Sequence, residues 1–240
     1  MNANQSWKQT LVVATLVTAT SFLLTGCQTA QSHASLPQTK DSQTAMTPAQ
    51  ALERLKEGNQ RFVAGHMQPR DLVAERQATA GGQYPFAVVL SCLDSRASSE
   101  LIFDQGLGDV FSARVAGNIL NDDILGSMEF ACKLAGAKLI VVVGHTKCGA
   151  VRGACAGAEL GHLTGLLSKI KPAVDAVPVP PSANKTDGAH VDAVAKENVK
   201  LVLEQIRQQS PVLAELIASG KIGLVGGMQD LDSGQVIFMK

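Results

Sequence analysis

The sequence lacks an excess of charge of either sign, an internal repeat, and an apolar run long enough to indicate a membrane span. Its 21 Lys and Arg residues balance 21 Asp and Glu residues, for a formal net charge of +0. Nothing therefore indicates nucleic acid or an acidic polymer as a partner, and a small neutral or singly charged ligand fits better. The chain has 240 residues and is 45% hydrophobic, which predicts one domain of about 190 residues behind an N-terminal segment.

The most apolar segment lies at the N-terminus and is predicted to be an export signal. Lys8 precedes the apolar residues 11–24, a run that is too short and wrongly flanked for a membrane span. The sequence Leu24-Thr25-Gly26-Cys27 resembles the bacterial lipobox, in which the cysteine is lipidated, and Gln28 is typical of outer-membrane lipoproteins. We therefore expect residues 1–27 to export the protein to the periplasm, with lipidated Cys27 as an outer-membrane anchor. An ordinary cleaved signal with a chance cysteine is the alternative.

The next segment predicts a linker followed by a folded domain. Residues 28–46 are rich in Gln, Ser, Thr, Ala and Lys without periodicity, which indicates a flexible tether. The domain is predicted over residues 47–240. Thr47 and Pro48 suit the N-cap and the first position of its first helix. This helix covers either the core of its own chain or a partner subunit, and the sequence leaves both alternatives open.

Predicted strands and helices alternate through the domain. The strands are expected at 85–91, 109–115, 138–144, 221–228 and 236–239, and the helices near 98–104, 122–135, 148–175, 190–208 and 211–219. This alternation favours an α/β fold with a central, mostly parallel sheet and helices on both faces. The Pro-rich residues 177–188 are predicted to form a surface loop.

Two short motifs contain side chains that bind metals. They are Ser91-Cys92-Leu93-Asp94-Ser95-Arg96 and Gly144-His145-Thr146-Lys147-Cys148-Gly149. Zinc binds Cys sulfur and His nitrogen in tetrahedral geometry, and three protein ligands leave a fourth position for water, as in catalytic sites. Cys92, His145 and Cys148 are therefore predicted to hold one Zn²⁺ per chain.

The position of the motifs supports a shared site. Each motif lies at the end of a short apolar run that is typical of a buried parallel strand. Ligand crevices in open parallel sheets lie at the carboxyl ends of the strands, so Cys92 and His145 converge if the two strands are neighbours. A closed structural zinc site is the alternative and requires a fourth ligand such as Cys132 or Cys155. Both lie in predicted helices, where small buried thiols are expected.

The pattern Cys92-x-Asp94-x-Arg96 followed by His145-x-x-Cys148 resembles the β-class carbonic anhydrases. The resemblance extends from about Ala49 to the C-terminus and includes residues 101–109 and 114–118. It implies a β-carbonic anhydrase-like fold and a lyase, carbonate dehydratase, that reversibly hydrates CO₂ to bicarbonate and a proton. It also implies a homodimer or homotetramer, because the pocket of this family forms at a dimer interface.

The resemblance also implies roles for three further residues. Asp94 is expected to orient the attacking water, and Arg96 to hold Asp94 away from the metal; in some members the Asp binds zinc as a fourth ligand at lower pH. Gln83 matches a glutamine that donates a hydrogen bond to the substrate oxygen in the plant-type subgroup, where it would stabilise developing charge. The alternatives are a surface salt bridge for Asp94 and Arg96, and an ordinary loop position for Gln83.

Two other functions remain open from the sequence. Hydrolysis of CS₂ or COS uses the same ligands behind a narrower entrance, and the sequence does not separate it from CO₂ hydration. A non-catalytic zinc-binding lipoprotein is the second alternative. The Asp94 and Arg96 pair argues against it, because metal storage does not need that pair.

Overall fold

A five-stranded sheet forms the centre of the structure, a computed structural model that describes residues 37–239. The strands are β1 (Ala87–Ser91), β2 (Val110–Arg114), β3 (Leu139–His145), β4 (Gly223–Gln229) and β5 (Val236–Phe238). Their order is β2-β1-β3-β4-β5. Strands β1 to β4 are parallel and β5 is antiparallel to β4, which confirms the predicted, mostly parallel sheet.

The helices of the described residues connect and cover these strands. They are α1 (Lys40–Ala45), α2 (Pro48–Val63), α3 (Leu72–Thr79), α4 (Ser99–Ile102), α5 (Asp122–Glu129), α6 (Gly149–Ala156), α7 (Gly161–Ser168), α8 (Lys171–Ala176), α9 (Gly188–Gln209) and α10 (Pro211–Ala218). A 3₁₀ turn at Ala116–Asn118 follows β2, and a π-helical turn at Phe130–Leu134 follows α5. None of the helices between residues 37 and 239 is both long and apolar enough to cross a membrane.

Helices cover both faces of the sheet because successive strand residues point to opposite sides. On one face, Leu90 and Ile140 are buried with residues of α5, α9 and α10. On the other face, Val89 and Val141 are buried with residues of α2 and α4. The two apolar layers confirm the predicted fold class and hold β1 and β3 rigidly beside each other.

Helix α2 begins as its sequence predicts. Thr47 is the N-cap, its side chain accepts a hydrogen bond from the Gln50 backbone, and Pro48 is the first helical residue. Ala51 and Leu55 on this helix are fully buried in the core of the same chain. Of the two alternatives for its apolar face, the structure therefore supports the one in which the helix covers its own core.

The predicted tether over residues 28–46 is wrong at its C-terminal end. Residues 40–45 form α1, which begins with a capping box between Thr39 and Ser42. The buried Gln43 amide donates hydrogen bonds to the carbonyls of Pro85 and Ala135, at 2.7 and 2.8 Å. A polar side chain holds this helix on the domain, so a hydropathy pattern could not reveal it. Residues 28–36 lie outside the described part of the chain.

Helix α3 was not predicted because polar interactions hold it in place. Asp71 caps its first turn by accepting hydrogen bonds from the backbone of Val73 and Ala74. The one buried residue of the helix is Glu75, whose carboxylate accepts a hydrogen bond from the Leu107 backbone at 2.9 Å.

The predicted helix over 122–135 also differs from the structure, because its second half is the π-helical turn at Phe130–Leu134.

Buried acidic side chains of the 101–109 segment are paired with arginines. Asp109 lies 3.0 Å from Arg54, and Asp104 contacts both Arg61 and Arg70. These pairs join the segment between α4 and β2 to α2 and to the residues before α3. This part of the family-like sequence is therefore structural, and it lies at the end of the sheet opposite the two metal-binding motifs.

Candidate metal centre

The two motifs meet at the carboxyl ends of adjacent strands. β1 and β3 pair directly, with Ser91 opposite Val143. Cys92 follows β1, His145 ends β3, and Cys148 precedes α6. One donor atom from each of these three side chains lies within 4.8 Å of the others, and all three residues are buried. The predicted convergence of Cys92 and His145 is confirmed.

The hydrogen bonds of His145 leave one ring nitrogen free for a metal. Nδ1 lies 2.8 Å from the carbonyl oxygen of Thr146. A carbonyl only accepts, so Nδ1 carries the proton and Nε2 has the lone pair. Nε2 is buried without a hydrogen-bond partner. An unpartnered buried nitrogen is costly unless another group, here a metal, occupies that position.

The Cys92 and Cys148 sulfurs compete for one proton. A hydrogen bond from the Cys148 thiol lowers the pKa of Cys92 to about 4, and the His145 ring and the Gly117 backbone support the same thiolate. The neighbouring Cys92 thiolate, together with burial, raises the pKa of Cys148. For His145, burial opposes the charged form, but the nearby Cys92 sulfur, the Thr146 carbonyl and the negative charge of Asp94 together outweigh it, and the pKa is raised. A divalent cation would remove this competition and accept both sulfurs as thiolates.

The donor set fits zinc in an open, three-ligand site. Two sulfurs and one imidazole nitrogen are preferred zinc ligands. Cys132 lies in the π-helical turn and Cys155 in α6; both are buried and free, and neither belongs to the cluster. Within residues 37–239 no fourth protein ligand completes a closed structural site.

Asp94 and Arg96 form a close pair beside the cluster. Arg96 Nε and Nη2 donate to the two Asp94 carboxylate oxygens at 2.9 and 2.8 Å, and the Arg96 backbone N–H donates to Oδ1 at 2.9 Å. These bonds keep the pKa of Asp94 well below its usual range. Asp94 Oδ2 is 4.0 Å from His145 Nε2. The carboxylate thus lies next to the three-ligand cluster but is paired with Arg96 and is not one of its members. The fourth position at the metal is therefore left open for water.

Arg114 at the end of β2 and Gly117 in the 3₁₀ turn after it hold the first motif. Sequence reasoning did not assign them this role. Arg114 donates hydrogen bonds to the backbone carbonyls of Cys92, Leu93 and Asp94. The Gly117 backbone N–H donates to Cys92 Sγ at 3.3 Å. Gly117 has φ of 67°, and a Cβ there would lie 2.6 Å from Ile170, so only glycine fits. Their presence in the family-like segment 114–118 was the only signal in the sequence.

A mostly apolar cavity of about 310 Å³ opens beside Cys92 and Asp94. Its other walls are Leu93, Ala116, Gly149, Ala150, Gly153, Leu163 and Leu167. A small apolar molecule would be stabilised by leaving water for this cavity, and Asp94 is one of the residues that line it.

Gln83 lies away from the metal ligands of its own chain. It precedes β1, whereas Cys92 follows the carboxyl end of that strand. The exposed Gln83 lines a different cavity, with Arg76, Thr79 and Gly108 among its neighbours. The chain alone does not bring this side chain to its own Asp94.

Comparison with known proteins agrees with this geometry. The family model for carbonic anhydrase matches residues 87–236, which contain both motifs. Carbonic anhydrase 2 of Mycobacterium tuberculosis is 40% identical over 192 residues, which cover 79% of this chain and 92% of that protein. This chain belongs to the β-carbonic anhydrase family. A carbonic anhydrase of Mycolicibacterium smegmatis is 36% identical over 191 residues, with the same coverage of 79% and 92%.

Solved β-carbonic anhydrases share the fold. CafA of Aspergillus fumigatus gives a TM-score of 0.63 at 27% identity, covering 80% of this chain and 90% of that one. A tetrameric β-carbonic anhydrase of Sordaria macrospora gives 0.59 at 26% identity, covering 67% and 83%. β-Carbonic anhydrases use zinc, and Cys92, His145 and Cys148 provide one zinc site in this member of the family.

Proposed function

We propose that this protein is a zinc-dependent carbonate dehydratase that reversibly hydrates CO₂ to bicarbonate and a proton. The observation that carries the proposal is the convergence of Cys92, His145 and Cys148 within 4.8 Å, beside an Asp94 carboxylate held by Arg96. A bound zinc would lower the pKa of a water molecule to about 7 and so supply the nucleophile.

The protein side chains hold and orient the reactants. Both Asp94 oxygens accept hydrogen bonds from Arg96, which fixes the carboxylate and keeps it off the metal. Asp94 can then accept a hydrogen bond from the attacking water and direct its lone pair toward CO₂. The apolar cavity beside Asp94 admits CO₂ and limits competing water. Binding of zinc by Asp94 as a fourth ligand remains a second, closed arrangement of the same residues.

CS₂ or COS hydrolysis is the alternative that shares the ligands. The mostly apolar cavity of about 310 Å³ beside Asp94 suits either small molecule, and the similarity to carbonic anhydrases favours CO₂. Stopped-flow CO₂ hydration and CS₂ turnover should be measured on the same zinc-loaded sample. We expect rapid CO₂ hydration and little CS₂ turnover; background CO₂ hydration with rapid CS₂ turnover would favour the alternative.

We also propose that the protein assembles at least as a homodimer, so that Gln83 of one copy serves the site of another. Gln83 is exposed and lies at the end of β1 opposite to Cys92, so a substrate-binding role requires a second copy. The edge strand β2 offers a surface for it: Phe130 is 53% exposed and packs edge-on against Phe111 of β2, beside an open cavity of about 700 Å³.

The assembly proposal predicts that Phe130→Glu and Gln83→Ala have different effects. Phe130→Glu should give monomers in sedimentation experiments and lose activity, because a charge disrupts an apolar interface. Gln83→Ala should keep the assembly but lower the CO₂ hydration rate about 10- to 100-fold, since one donor to the developing charge is lost. Val179→Glu, on the exposed loop after α8, is the matched control and should change neither. A fully active wild-type monomer would contradict the proposal.

Finally, we propose that the protein is exported to the periplasm and anchored to the outer membrane by lipidated Cys27. The sequence Leu24-Thr25-Gly26-Cys27-Gln28 supports the proposal; these residues lie outside the described part of the chain. In a bacterial host, the wild type should incorporate labelled fatty acid and fractionate with outer membranes. Cys27→Ala should lose the label, and a wild type that carries no label would contradict the proposed anchor.

A further inference from the structure

The loop between the metal ligands His145 and Cys148 contains one residue in an uncommon backbone conformation. Lys147 has φ of 57°, in the left-handed region that side chains other than Asn and Asp rarely adopt. Cys148 follows it directly, so the conformation of Lys147 sets the direction in which the Cys148 thiol leaves the loop.

Asp192 on α9 supports this conformation from outside the loop. Its Oδ1 accepts a hydrogen bond from the Lys147 backbone N–H at 2.7 Å. The Lys147 side chain cannot serve this purpose, because its ammonium only donates hydrogen bonds, as it does to Asp232. The acceptor for the backbone of this loop therefore comes from a helix that lies 45 residues further along the chain.

Helix α9 is well placed to act as a rigid support for both motifs. Val191 and Val194 flank Asp192 and are fully buried in the apolar cluster that contains Cys92 and Cys148. On the same helix, Asn198 Nδ2 donates to the Gly117 carbonyl at 2.9 Å, and the Gly117 N–H donates to Cys92 Sγ. Asp192 and Asn198 thus connect one helix to the two halves of the metal site.

We propose that Asp192 is a positioning residue for zinc binding: it holds Lys147 in the left-handed conformation and thereby preorganises Cys148 as a ligand. The inference rests on the proposed zinc site but does not depend on CO₂ as the substrate. Apparent affinity falls with the fraction of molecules that are competent to bind. Without Asp192, Lys147 leaves the left-handed region most of the time, so we expect zinc affinity to fall about tenfold.

The test compares zinc affinity, by chelator competition at fixed pH, in the full chain and its variants. Asp192→Ala should bind zinc about tenfold more weakly. Asp192→Asn retains an oxygen acceptor and should remain within about threefold of the wild type. Glycine adopts the left-handed conformation readily without support from Asp192. In a Lys147→Gly background, adding Asp192→Ala should therefore lower zinc affinity less than about threefold. Asp232→Asn, which disrupts only the exposed side-chain pair, is the control and should change affinity less than about twofold.

Thermal unfolding of the metal-free variants checks that the fold is intact. If Asp192→Ala lowers stability, Asp192→Leu, which is similar in shape but lacks an acceptor, repeats the test. Equal losses from Asp192→Ala with and without Lys147→Gly, or equal losses for Asp192→Asn and Asp192→Ala, would overturn the positioning role. Unchanged affinity in Asp192→Ala would overturn it as well. A wild type that binds no zinc would instead overturn the metal site itself.

Discussion

Replacing Cys148 with serine is expected to remove zinc and activity together. The Cys148 sulfur is one of three donors in the cluster, and only two remain after the substitution. A serine hydroxyl is a poor zinc ligand at neutral pH, so the purified variant should hold little metal and lose more than about 100-fold of the CO₂ hydration rate. Metal content by atomic absorption and stopped-flow rates on the same sample measure both effects. Cys92→Ser and His145→Ala should behave alike.

Cys155→Ser is the matched control for this prediction. Cys155 is buried in α6, the helix that begins directly after Cys148, but it lies outside the cluster. Its variant should keep one zinc per chain and most of the activity, although burial of a hydroxyl costs some stability. Full zinc and full activity in Cys148→Ser would show that the three residues are not the metal site.

Asp94→Asn is expected to separate metal content from activity. The three ligands are unchanged, so zinc should remain at one per chain. The amide presents a donor in place of one carboxylate oxygen and cannot keep both hydrogen bonds from Arg96. Orientation of the attacking water is therefore lost, and the rate should fall on the order of 100-fold. Arg96→Ala should also lower the rate. It frees the Asp94 carboxylate, which lies 4.0 Å from His145 Nε2, to bind the zinc in place of water.

Asp175→Asn is the control for the loss of a paired carboxylate. Asp175 pairs with Lys171 on the exposed surface of α8, and its replacement should leave both zinc and rate unchanged. Undiminished turnover in Asp94→Asn would remove this carboxylate from the mechanism. The Arg96 pair would then be a surface salt bridge, as the sequence alone allowed.

The sheet and the three ligands could be predicted because local patterns encode them. The apolar runs before Cys92 and His145 identify buried strands, and parallel strands bring their carboxyl ends together. Thr47 and Pro48 likewise mark the start of α2 through a local capping preference. These features depend on a few neighbouring residues and on one general rule of sheet topology.

The parts that could not be predicted depend on polar contacts between distant segments. Gln43 holds α1 on the domain through carbonyls 42 and 92 residues away. Arg114 and Asp192 support the two metal-binding loops across 22 and 45 residues. The separation of Gln83 from Cys92 was also hidden, because a short distance in sequence spans the whole length of β1. Neither the hydrophobic periodicity of the sequence nor the spacing of its motifs indicates such contacts.

The most direct measurement is the CO₂ hydration rate as a function of zinc per chain. Metal should be removed with a chelator and restored in steps, with the rate measured after each addition by stopped flow. If Cys92, His145 and Cys148 hold a catalytic zinc, the rate should rise in proportion to zinc, from background to a plateau at one zinc per chain. Full activity in the metal-free protein, or background activity at one zinc per chain, would contradict this account.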